Sequence, residues 1–473
     1  MTRNKAKPGP TAEPVSALML ALASYISATP RRVLPAEVVE RAKLHLLDTI
    51  AAMVSGAPLL PGRRAIEYVT AMGGTPEATI LTTGTRTSAV NAALANGMLA
   101  HSDETDDAYY LALVHPGCSI VPAALAMAER QKSSGRDLLR AIVLGYDVCA
   151  RTSMALGIEH FRSAGHSTHS FGGTFGSAAA AGALANIDVR QARHLLSYAA
   201  QQASGLSCWA RDVEHVEKAF DFGGMPARNG VTAATMVASG FTGVEDVFSG
   251  DRGFLHAFEP FIRPQEFVKG LGTRYDIMQT AIKRWPVGYP IQAPLDALST
   301  LIDRHAIRAG EVEKVHITVD EQGARTVSGR KMSNINLQHL VAIMLLDGDI
   351  SFEASHDPAR SRDRDVLALK EKVQLVGSAA LSKTKTTQAI VEITLARPGG
   401  PQGKARSTVV RHHTRAVLGS ATRPMVRADL ERKCGPLLQP ALGKRRAAAL
   451  VDAIWTIDRL PDVRALRRLF SRP

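Results

Sequence analysis

A short acidic segment, "HSDETDDAYYLALVHPG" at residues 101–117, combines residue types that can move protons. Four acids, among them Glu104, Asp106 and Asp107, fall within five residues, and His115 follows just before a Pro-Gly turn. A histidine beside carboxylates has a pKa that its surroundings can tune close to neutrality, as proton transfer requires. The spacing and the glycine of a calcium-binding loop are missing. The segment therefore favours an acid/base site over a metal site or a plain surface loop.

A second segment, "GHSTHSFGGTFG", places His166 and His169 three residues apart, ahead of a glycine-rich turn and an alanine-rich helix. It lacks the preceding strand and the glycine spacing of a phosphate-binding loop, and the pair has no convincing third zinc ligand. At a helix N-terminus, backbone N–H groups would favour a substrate carboxylate while a histidine moves a proton. A purely structural role for either histidine stays open.

Two basic segments complete the set of candidate residues. Lys218 and Arg228 flank a Gly-Gly break in "HVEKAFDFGGMPARNG", and Lys283 and Arg284 precede a Pro-rich turn in "IKRWPVGYPIQAPLDA". Each basic pair alone is typical of a solvated face. Together with the two histidine segments, and without a nucleotide signature, they suit a small polycarboxylate.

Composition limits the class of protein. The 473 residues are 45% hydrophobic and 21% charged, with a formal net charge of +13. Lys and Arg are scattered and no zinc-finger or RNA-stacking motif is present, so no nucleic-acid partner is expected. The four cysteines form no C-x-x-C pair, which favours reduced thiols.

The apolar run at residues 15–28 is too short to span a bilayer, so we expect no membrane association and a cytoplasmic protein.

The elements that must position these residues are mainly helical up to about residue 240. The clearest helix is "LPAEVVERAKLHLLDTIAAMVSG", where Pro35 suits the first turn, apolar residues recur every three or four positions, and Gly56 suits the C-cap. Small residues in the later segments predict closely packed helices. The further predicted helices cover residues 88–101, 120–131, 136–156, 174–185 and 189–205.

Beyond about residue 270 the pattern changes. "KVHITVDEQ" and "QAIVEITLARPG" alternate apolar and polar residues like half-buried strands, with Pro/Gly punctuation after the second, and helical segments lie at 290–306 and 335–348. The sequence therefore predicts a mainly α protein with a large all-helical domain and a smaller α+β domain. The predicted bounds are a disordered tail at 1–14, a helical domain at 15–268, an α+β lid domain at 269–425, and a helical stretch at 426–473 that packs back onto the first domain.

Six segments in the same order resemble the MmgE/PrpD family, which includes 2-methylcitrate dehydratase, cis-aconitate decarboxylase and iminodisuccinate epimerase. The resemblance implies a helical domain with an α+β lid, a site in the cleft between them, a homodimer, and catalysis with no metal, iron–sulfur cluster or other cofactor. The six segments are "LLDTIAAMVSG", "NGMLAHSDETDDAYYLALVHPGCSIVPAALAMAE", "GHSTHSFGGTFGSAAAAG", "VEKAFDFGGMPARNGVTAA", "IKRWPVGYPIQAPLDAL" and "INLQHLVAIMLLDG".

The resemblance carries family site positions onto Asp106, Asp107, His115, Lys218 and Lys283. By this resemblance, Lys218 and Lys283 would meet the negative charge of the substrate, and His115 would donate or accept a proton. Asp106 or Asp107 would hold the tautomer of that histidine.

Further candidates extend this set. Arg284 would also meet substrate carboxylates, and either His166 or His169 would be the second proton-transfer group. The remaining candidate substrate contacts are Glu104, Gln292 and His339.

Four positions depart from the family pattern. Ala108 stands where a threonine often follows the paired aspartates, and Ser167 occupies a usual histidine position between His166 and His169. Gln292 replaces a frequent histidine and His339 a tyrosine. Groups that touch substrate therefore differ, so the reaction of a well-known member cannot simply be assigned.

The expected function is a metal-independent lyase acting on a di- or tricarboxylic acid by proton transfer next to a carboxylate, most simply a dehydratase of the 2-methylcitrate type. Three alternatives remain open at this level. They are a decarboxylase of the cis-aconitate type, an epimerase or isomerase of a related acid, and a degenerate family member that only binds a polycarboxylate.

Overall fold

The computed structural model describes residues 14–384, 386–397 and 406–471. The predicted disordered tail, apart from Pro14, lies outside the described residues, and so does the Pro/Gly punctuation after the second predicted strand.

The first domain is built from helices with one small β-hairpin. The predicted fold class, mainly α with a smaller α+β domain, is confirmed. The strands β1 (Ala78–Thr79) and β2 (Arg86–Thr87) pair antiparallel. The helices are α1 (Ala17–Ala28), α2 (Ala36–Gly56), α3 (Leu60–Met72), α4 (Ala89–Ala100), α5 (Pro116–Gln131), α6 (Gly135–Ala155), α7 (Ile158–Ser163), α8 (Thr168–Leu184), α9 (Val189–Gln202), α10 (Val216–Ala219) and α11 (Met225–Ala238).

Glycines that suggested helix ends and turns instead mark close contacts between helices. Gly56 was expected at the C-cap of α2, but the helix runs through it and Ala57 caps it. A Cβ on Gly56 would lie 2.1 Å from the backbone oxygen of Leu99 in α4. Likewise α8 begins at Thr168 and not at residue 174. Gly172 in its first turns is helical and approaches α6, where a Cβ would lie 2.8 Å from Cys149 O.

The expected Gly-Gly break after Lys218 is absent from the described backbone. Residues Phe220–Gly224 form a π-helical turn that continues directly into α11. The turn packs against α4, where a Cβ on Gly223 would meet Gly97 O at 2.1 Å. A π-turn shifts the register of the side chains that follow it and is frequent at functional sites.

The second domain contains both predicted strands and two that the pattern missed. The described strands of this domain form one sheet in the order β4-β3-β5-β6, with β3 parallel to β4 and the other neighbours antiparallel. The strands are β3 (Val312–Asp320), β4 (Val373–Ser378), β5 (Ala389–Arg397) and β6 (Arg406–Thr414), and the helices are α12 (Tyr289–His305), α13 (Glu321–Val327), α14 (Leu337–Asp347), α15 (Phe352–His356), α16 (Arg364–Glu371) and α17 (Ala379–Ser382).

Two separate hydrophobic cores divide the chain. One core runs from Met19 to Ile282 and resumes from Met425 to Phe470, and the other lies between Trp285 and Val417. The C-terminal helices α18 (Arg427–Leu442) and α19 (Lys444–Trp455) therefore belong to the first core. Among the described helices, none is long and apolar enough on its own to cross a membrane; α2 and α3 pass that test only as a pair bent by 86°.

Candidate active site

The carboxylate of Asp106 is the centre of a buried cluster at the domain junction. His101 Nδ1 lies 2.9 Å from Oδ2 of Asp106, and His115 Nδ1 lies 3.1 Å from the same oxygen. Lys283 Nζ donates to Oδ1 at 3.3 Å. Asp106 is fully buried, so these three cationic or N–H partners replace the water that the carboxylate loses on folding.

This arrangement keeps Asp106 charged and His115 neutral. Burial alone would raise the pKa of Asp106, but His101, His115 and Lys283 outweigh it and hold that pKa well below its usual range. Burial lowers the pKa of His115, and the adjacent Asp106 offsets only part of that effect. Neutral His115 can donate its Nδ1 proton to Asp106, which leaves Nε2 as a proton acceptor. Because His115 lines a cavity, its ring is poised to act as a general base there.

Glu104 pairs with the two predicted lysines. Lys218 Nζ donates to Glu104 Oε1, and Lys283 Nζ lies 3.6 Å from Oε2 and donates to the backbone oxygen of Glu104 at 2.8 Å. Burial would raise the pKa of Glu104, but the two ammonium groups hold it well below the usual range. Lys218 also lies 5.0 Å from the ring centroid of Phe222. Its ammonium thus sits between a carboxylate and an aromatic face.

The structure separates the two candidate histidines of the second segment. His169 lines the same cavity as His115, with ring centroids 5.3 Å apart, and stacks on Phe222 at 3.6 Å. Burial is the main cause that holds the pKa of His169 well below normal, and the charge of Arg162 lowers it further. His166 packs against Phe161 at 4.7 Å instead and does not line this cavity.

Asp107 faces away from His115. Its Oδ2 bonds His45 Nδ1 and accepts from Tyr146 OH, both at 2.6 Å, while Oδ1 accepts from the backbone N–H of Gly117 at 2.9 Å. The helix α5 begins directly after His115, and Gly117 lies in its first turn. Asp107 therefore fixes where that helix begins and does not hold the tautomer of His115.

The two basic residues before the Pro-rich turn also point in different directions. Lys283 is 1% exposed, pairs with Asp106 and Glu104 and does not line the cavity of His115, so in this structure it neutralises the two acids. The guanidinium of Arg284 lies 4.3 Å from the ring centroid of Trp285 and borders a different cavity. Neither residue, each expected to contact substrate, lines the cavity of His115.

Gln292 and His339 likewise lie outside the cavity of His115. Gln292 Oε1 accepts from the backbone N–H groups of Arg284 and Trp285, and its Nε2 donates to the backbone oxygens of Trp285 and Val287. It therefore holds the turn that carries Lys283. His339 is 3% exposed on α14, and burial lowers its pKa to about 4.

Replacing Gln292 with methionine should destabilise the protein by about 2–5 kcal/mol. The buried N–H groups of Arg284 and Trp285 and the backbone oxygen of Val287 would lose their partner, whereas Trp285 O would keep the N–H of Val287. Each unsatisfied group typically costs about 1–3 kcal/mol when relaxation cannot pair it again. Thermal unfolding followed by circular dichroism would measure the loss. Gln374→Met on exposed strand β4 is the matched control, and an equal effect of both changes would contradict this role.

Ser167 and Ala108, two of the positions that depart from the family pattern, have different surroundings. Ser167 Oγ donates to Asp221 at 2.5 Å, and burial raises the pKa of Asp221 to about 7. Ala108 lines the cavity and pairs with Ala281 through two backbone hydrogen bonds. That pairing ties the acidic segment to the residues just before Lys283.

The cavity that His115 and His169 line has a volume of about 390 Å³ and takes its walls from both domains. Arg162 and Lys218 line it from the helical domain, and Arg325 and Arg330 line it from the lid. Arg330 donates to the backbone oxygen of Ala210 at 2.9 Å and so bridges the two domains. The backbone oxygen of Arg162 accepts from the N–H of Gly165, but its side chain has no hydrogen bond or ion pair with any residue that the structure describes. Its guanidinium is thus available to an anionic ligand.

Sequence reasoning missed several of these residues. His101 was part of the acidic segment, but its contact with the Asp106 oxygen that His115 also contacts depends on how the five-residue loop folds back. His215 lies three residues before Lys218, and its ring centroid is 5.1 Å from that of His101. Arg162 and Arg330 belong to no recognisable pattern. Only the proximity of His215 to Lys218 offered a usable signal.

Two sets of three residues in this cluster, each made of histidines and one carboxylate, have ligand atoms close enough together to hold a metal ion. One consists of His101, Asp106 and His115, and the other of His101, Glu104 and His215. In both groups the carboxylate already contacts a lysine ammonium, from Lys283 or Lys218. These ammonium groups supply the positive charge that a cation would otherwise bring, and they would repel it.

Comparisons with known proteins agree with this architecture. The chain is 26% identical over 386 residues to the cis-aconitate decarboxylase-like protein oryM of Aspergillus oryzae, covering 74% of this chain and 77% of the relative. It is 22% identical over 473 residues to a cis-aconitate decarboxylase of Aspergillus terreus, with 93% of each chain covered. It is 25% identical over 471 residues to the human cis-aconitate decarboxylase, covering 92% of this chain and 91% of the relative.

Two family models match consecutive parts of the chain. The MmgE/PrpD N-terminal domain matches residues 20–262, and the MmgE/PrpD C-terminal domain matches residues 285–457. The second match begins where the second hydrophobic core begins and extends into the C-terminal helices. With both models matched in order over most of its length, the chain belongs to the MmgE/PrpD family.

Proposed function

We propose that this protein is a metal-independent lyase that removes water from a hydroxylated di- or tricarboxylic acid, in the manner of 2-methylcitrate dehydratase. The observation that carries the proposal is the contact of 3.1 Å between His115 Nδ1 and the buried carboxylate of Asp106, on a ring that lines the cavity. This contact orients a neutral imidazole with its accepting nitrogen free, which is the state needed to take a proton from carbon.

The proposed reaction begins when His115 Nε2 takes the proton next to a substrate carboxylate, and the C–H electron pair stays on carbon. The pair then forms the double bond as the C–OH bond breaks. The hydroxyl group leaves as water with a proton from the Lys218 ammonium, since His169 is held neutral and is a poor acid. His169 can still donate a hydrogen bond that orients the departing hydroxyl group.

Binding of the acid relies on the cations of the cavity. The guanidinium of Arg162 has no hydrogen bond or ion pair among the described residues, and it can pair with a carboxylate in a bidentate fashion. The lid residues Arg325 and Arg330 line the opposite wall and can meet a second carboxylate. Fixed positive charges also stabilise the carbanion as it forms, because its charge spreads onto the adjacent carboxylate.

Decarboxylation is the second candidate, and the names of the curated relatives favour it. In that reaction a C–CO₂ bond breaks, carbon dioxide leaves, and a cavity proton donor protonates the carbon that receives the electron pair. The same cations would hold the remaining carboxylates.

The test is to incubate the purified protein in D₂O with 2-methylcitrate, citrate, cis-aconitate and related acids. Absorbance of a new double bond with deuterium exchange at carbon supports dehydration, whereas carbon dioxide release supports decarboxylation. Deuterium uptake without either change would favour an epimerase. If no acid reacts and none exchanges a proton at carbon, the polycarboxylate proposal fails.

The pH dependence of turnover should follow the neutral state of His115. Because burial lowers its pKa, the acid limb of the kcat/KM profile should lie below the ordinary histidine value of about 6.5. Activity is then present above the lowered pKa and is lost as the pH falls through it. Initial rates over a pH series would measure the pKa of this acid limb. A pKa above the ordinary histidine value would contradict a neutral base.

A homodimer in the cytoplasm is the assembly and location that we propose with this activity. The homodimer rests on the family resemblance, and the location rests on the short apolar run at residues 15–28 and the separated cysteines. Sedimentation analysis of the full chain at several concentrations tests the first, and a monomer at micromolar concentration would exclude it.

A further inference from the structure

The cavity has a second wall whose chemistry does not suit a carboxylate. Beside the cations, its lining includes Leu113 and Val114 from the acidic segment and Tyr289 and Ile335 from the lid. Val114 is 1% exposed and Ile335 7%, so these side chains are held in place by their own domains. A carboxylate against such a wall would lose hydration without gaining a partner.

Two tyrosines extend this uncharged wall across the domain junction. Tyr110 of the helical domain and Tyr289 of the lid have ring centroids 6.4 Å apart. Burial raises the pKa of Tyr110 to about 12 and also raises the pKa of Tyr289, so both phenols stay neutral. The two rings therefore add aromatic carbon and no charge of their own to the wall. The carboxylate of Asp320 also lines the cavity and contributes to the raised pKa of Tyr110, and it accepts from the N–H of Gly323 at 2.7 Å.

The cavity is large enough to admit a ligand bigger than a short acid. Its volume of about 390 Å³ lies in the range of sites that bind drug-sized molecules, roughly 300–1,000 Å³. A short tricarboxylate would satisfy the cations but leave the apolar wall facing water. An apolar substituent on the acid would cover that wall, and each buried methylene should strengthen binding by about fourfold.

We propose that the physiological substrate is a di- or tricarboxylic acid bearing a linear alkyl chain of several carbons, seated against Leu113, Tyr289 and Ile335. The inference rests on the proposed function for the carboxylate end of the ligand and adds a subsite for its tail. The carboxylates face Arg162 and the lid residues Arg325 and Arg330, while the tail lies between the acidic segment and the lid.

The test is a chain-length series. Binding of 2-methyl-, 2-propyl- and 2-hexylsuccinate to the full-length protein is measured by calorimetry, and turnover is measured with the matching 2-alkylcitrates. We expect the Kd to fall about fourfold per methylene until the wall is covered. The same trend should appear as a falling KM if the alkylcitrates react.

Two substitutions localise the subsite. Ile335→Ser and Tyr289→Ser should each flatten the dependence of Kd on chain length, because each removes apolar wall. Leu367→Ser is the matched control, since Leu367 lies in α16 of the same domain and is 42% exposed. Using two separate wall positions keeps the test decisive if one variant fails to fold.

The outcomes distinguish this proposal from the proposed function. A Kd that stays flat or rises with chain length overturns the tail subsite even if short acids are turned over. A falling Kd with no turnover supports the subsite and overturns the lyase proposal. Failure of every acid in the series to bind overturns both.

Discussion

Replacing Lys283 with methionine should destabilise the native state by about 3–5 kcal/mol, the typical cost of leaving a buried charge without its partner. The ammonium of Lys283 is the fixed positive charge within 3.3 Å of Asp106, and it also reaches Glu104. Methionine fills a similar volume but cannot compensate either acid. Urea unfolding at neutral pH, followed by circular dichroism, would measure the shift of the midpoint.

Lys331→Met is the matched control for this change, because Lys331 is an exposed lysine of the same domain. Acidification provides a second check. The pKa values of Asp106 and Glu104 are lowered in the folded wild type, so the stability they confer is present at neutral pH and is lost as the pH falls through those values. The difference in free energy of unfolding between wild type and Lys283→Met should therefore become smaller in acid. A gap that is constant with pH would contradict the electrostatic explanation.

Replacing His115 with asparagine should reduce kcat by about 10²–10⁴-fold, the usual contribution of a positioned acid or base. Asparagine can still donate a hydrogen bond towards Asp106, so the buried carboxylate keeps a partner and the fold should persist. Steady-state rates with the reactive acid of the panel, together with thermal unfolding, would separate lost chemistry from lost structure.

His166→Asn is the comparison that makes the His115 result informative. The ring of His166 packs on Phe161 and lies outside the cavity, so this variant should keep most of the activity. Loss of activity in His166→Asn with an active His115→Asn would reverse the assignment.

Much of the architecture was predictable, because the hydrophobic periodicity and the family resemblance both extend over many residues. The strand patterns around residues 314–322 and 388–397 correspond to β3 and β5. The strands β4 and β6 were missed, since β4 is largely exposed and carries little alternation. Glycine misled the prediction at Gly56 and in the first turns of α8, because a glycine needed for helix contact and one needed for a turn look the same in sequence.

The candidate site was predictable as a set of segments but not as a set of contacts. Asp106 and Asp107 are adjacent in the chain, yet one meets His115 and the other meets His45 and Tyr146. Only the fold decides which neighbour turns inward. The free cation Arg162 is invisible to motif reasoning, because a single arginine becomes a ligand group only when the structure leaves it unpaired.

The charge partners of the acidic segment have a consequence for how the two halves of the chain can be separated. Asp103 lies 3.3 Å from His356 Nε2 in α15 of the lid, and Asp106 and Glu104 depend on Lys283 at the start of the second half. Produced alone, residues 15–282 would bury three acids without those partners. The helical half should therefore be unsuitable as an independent expression unit, and exchange of lids between relatives should succeed only when the lid brings its own lysine and histidine.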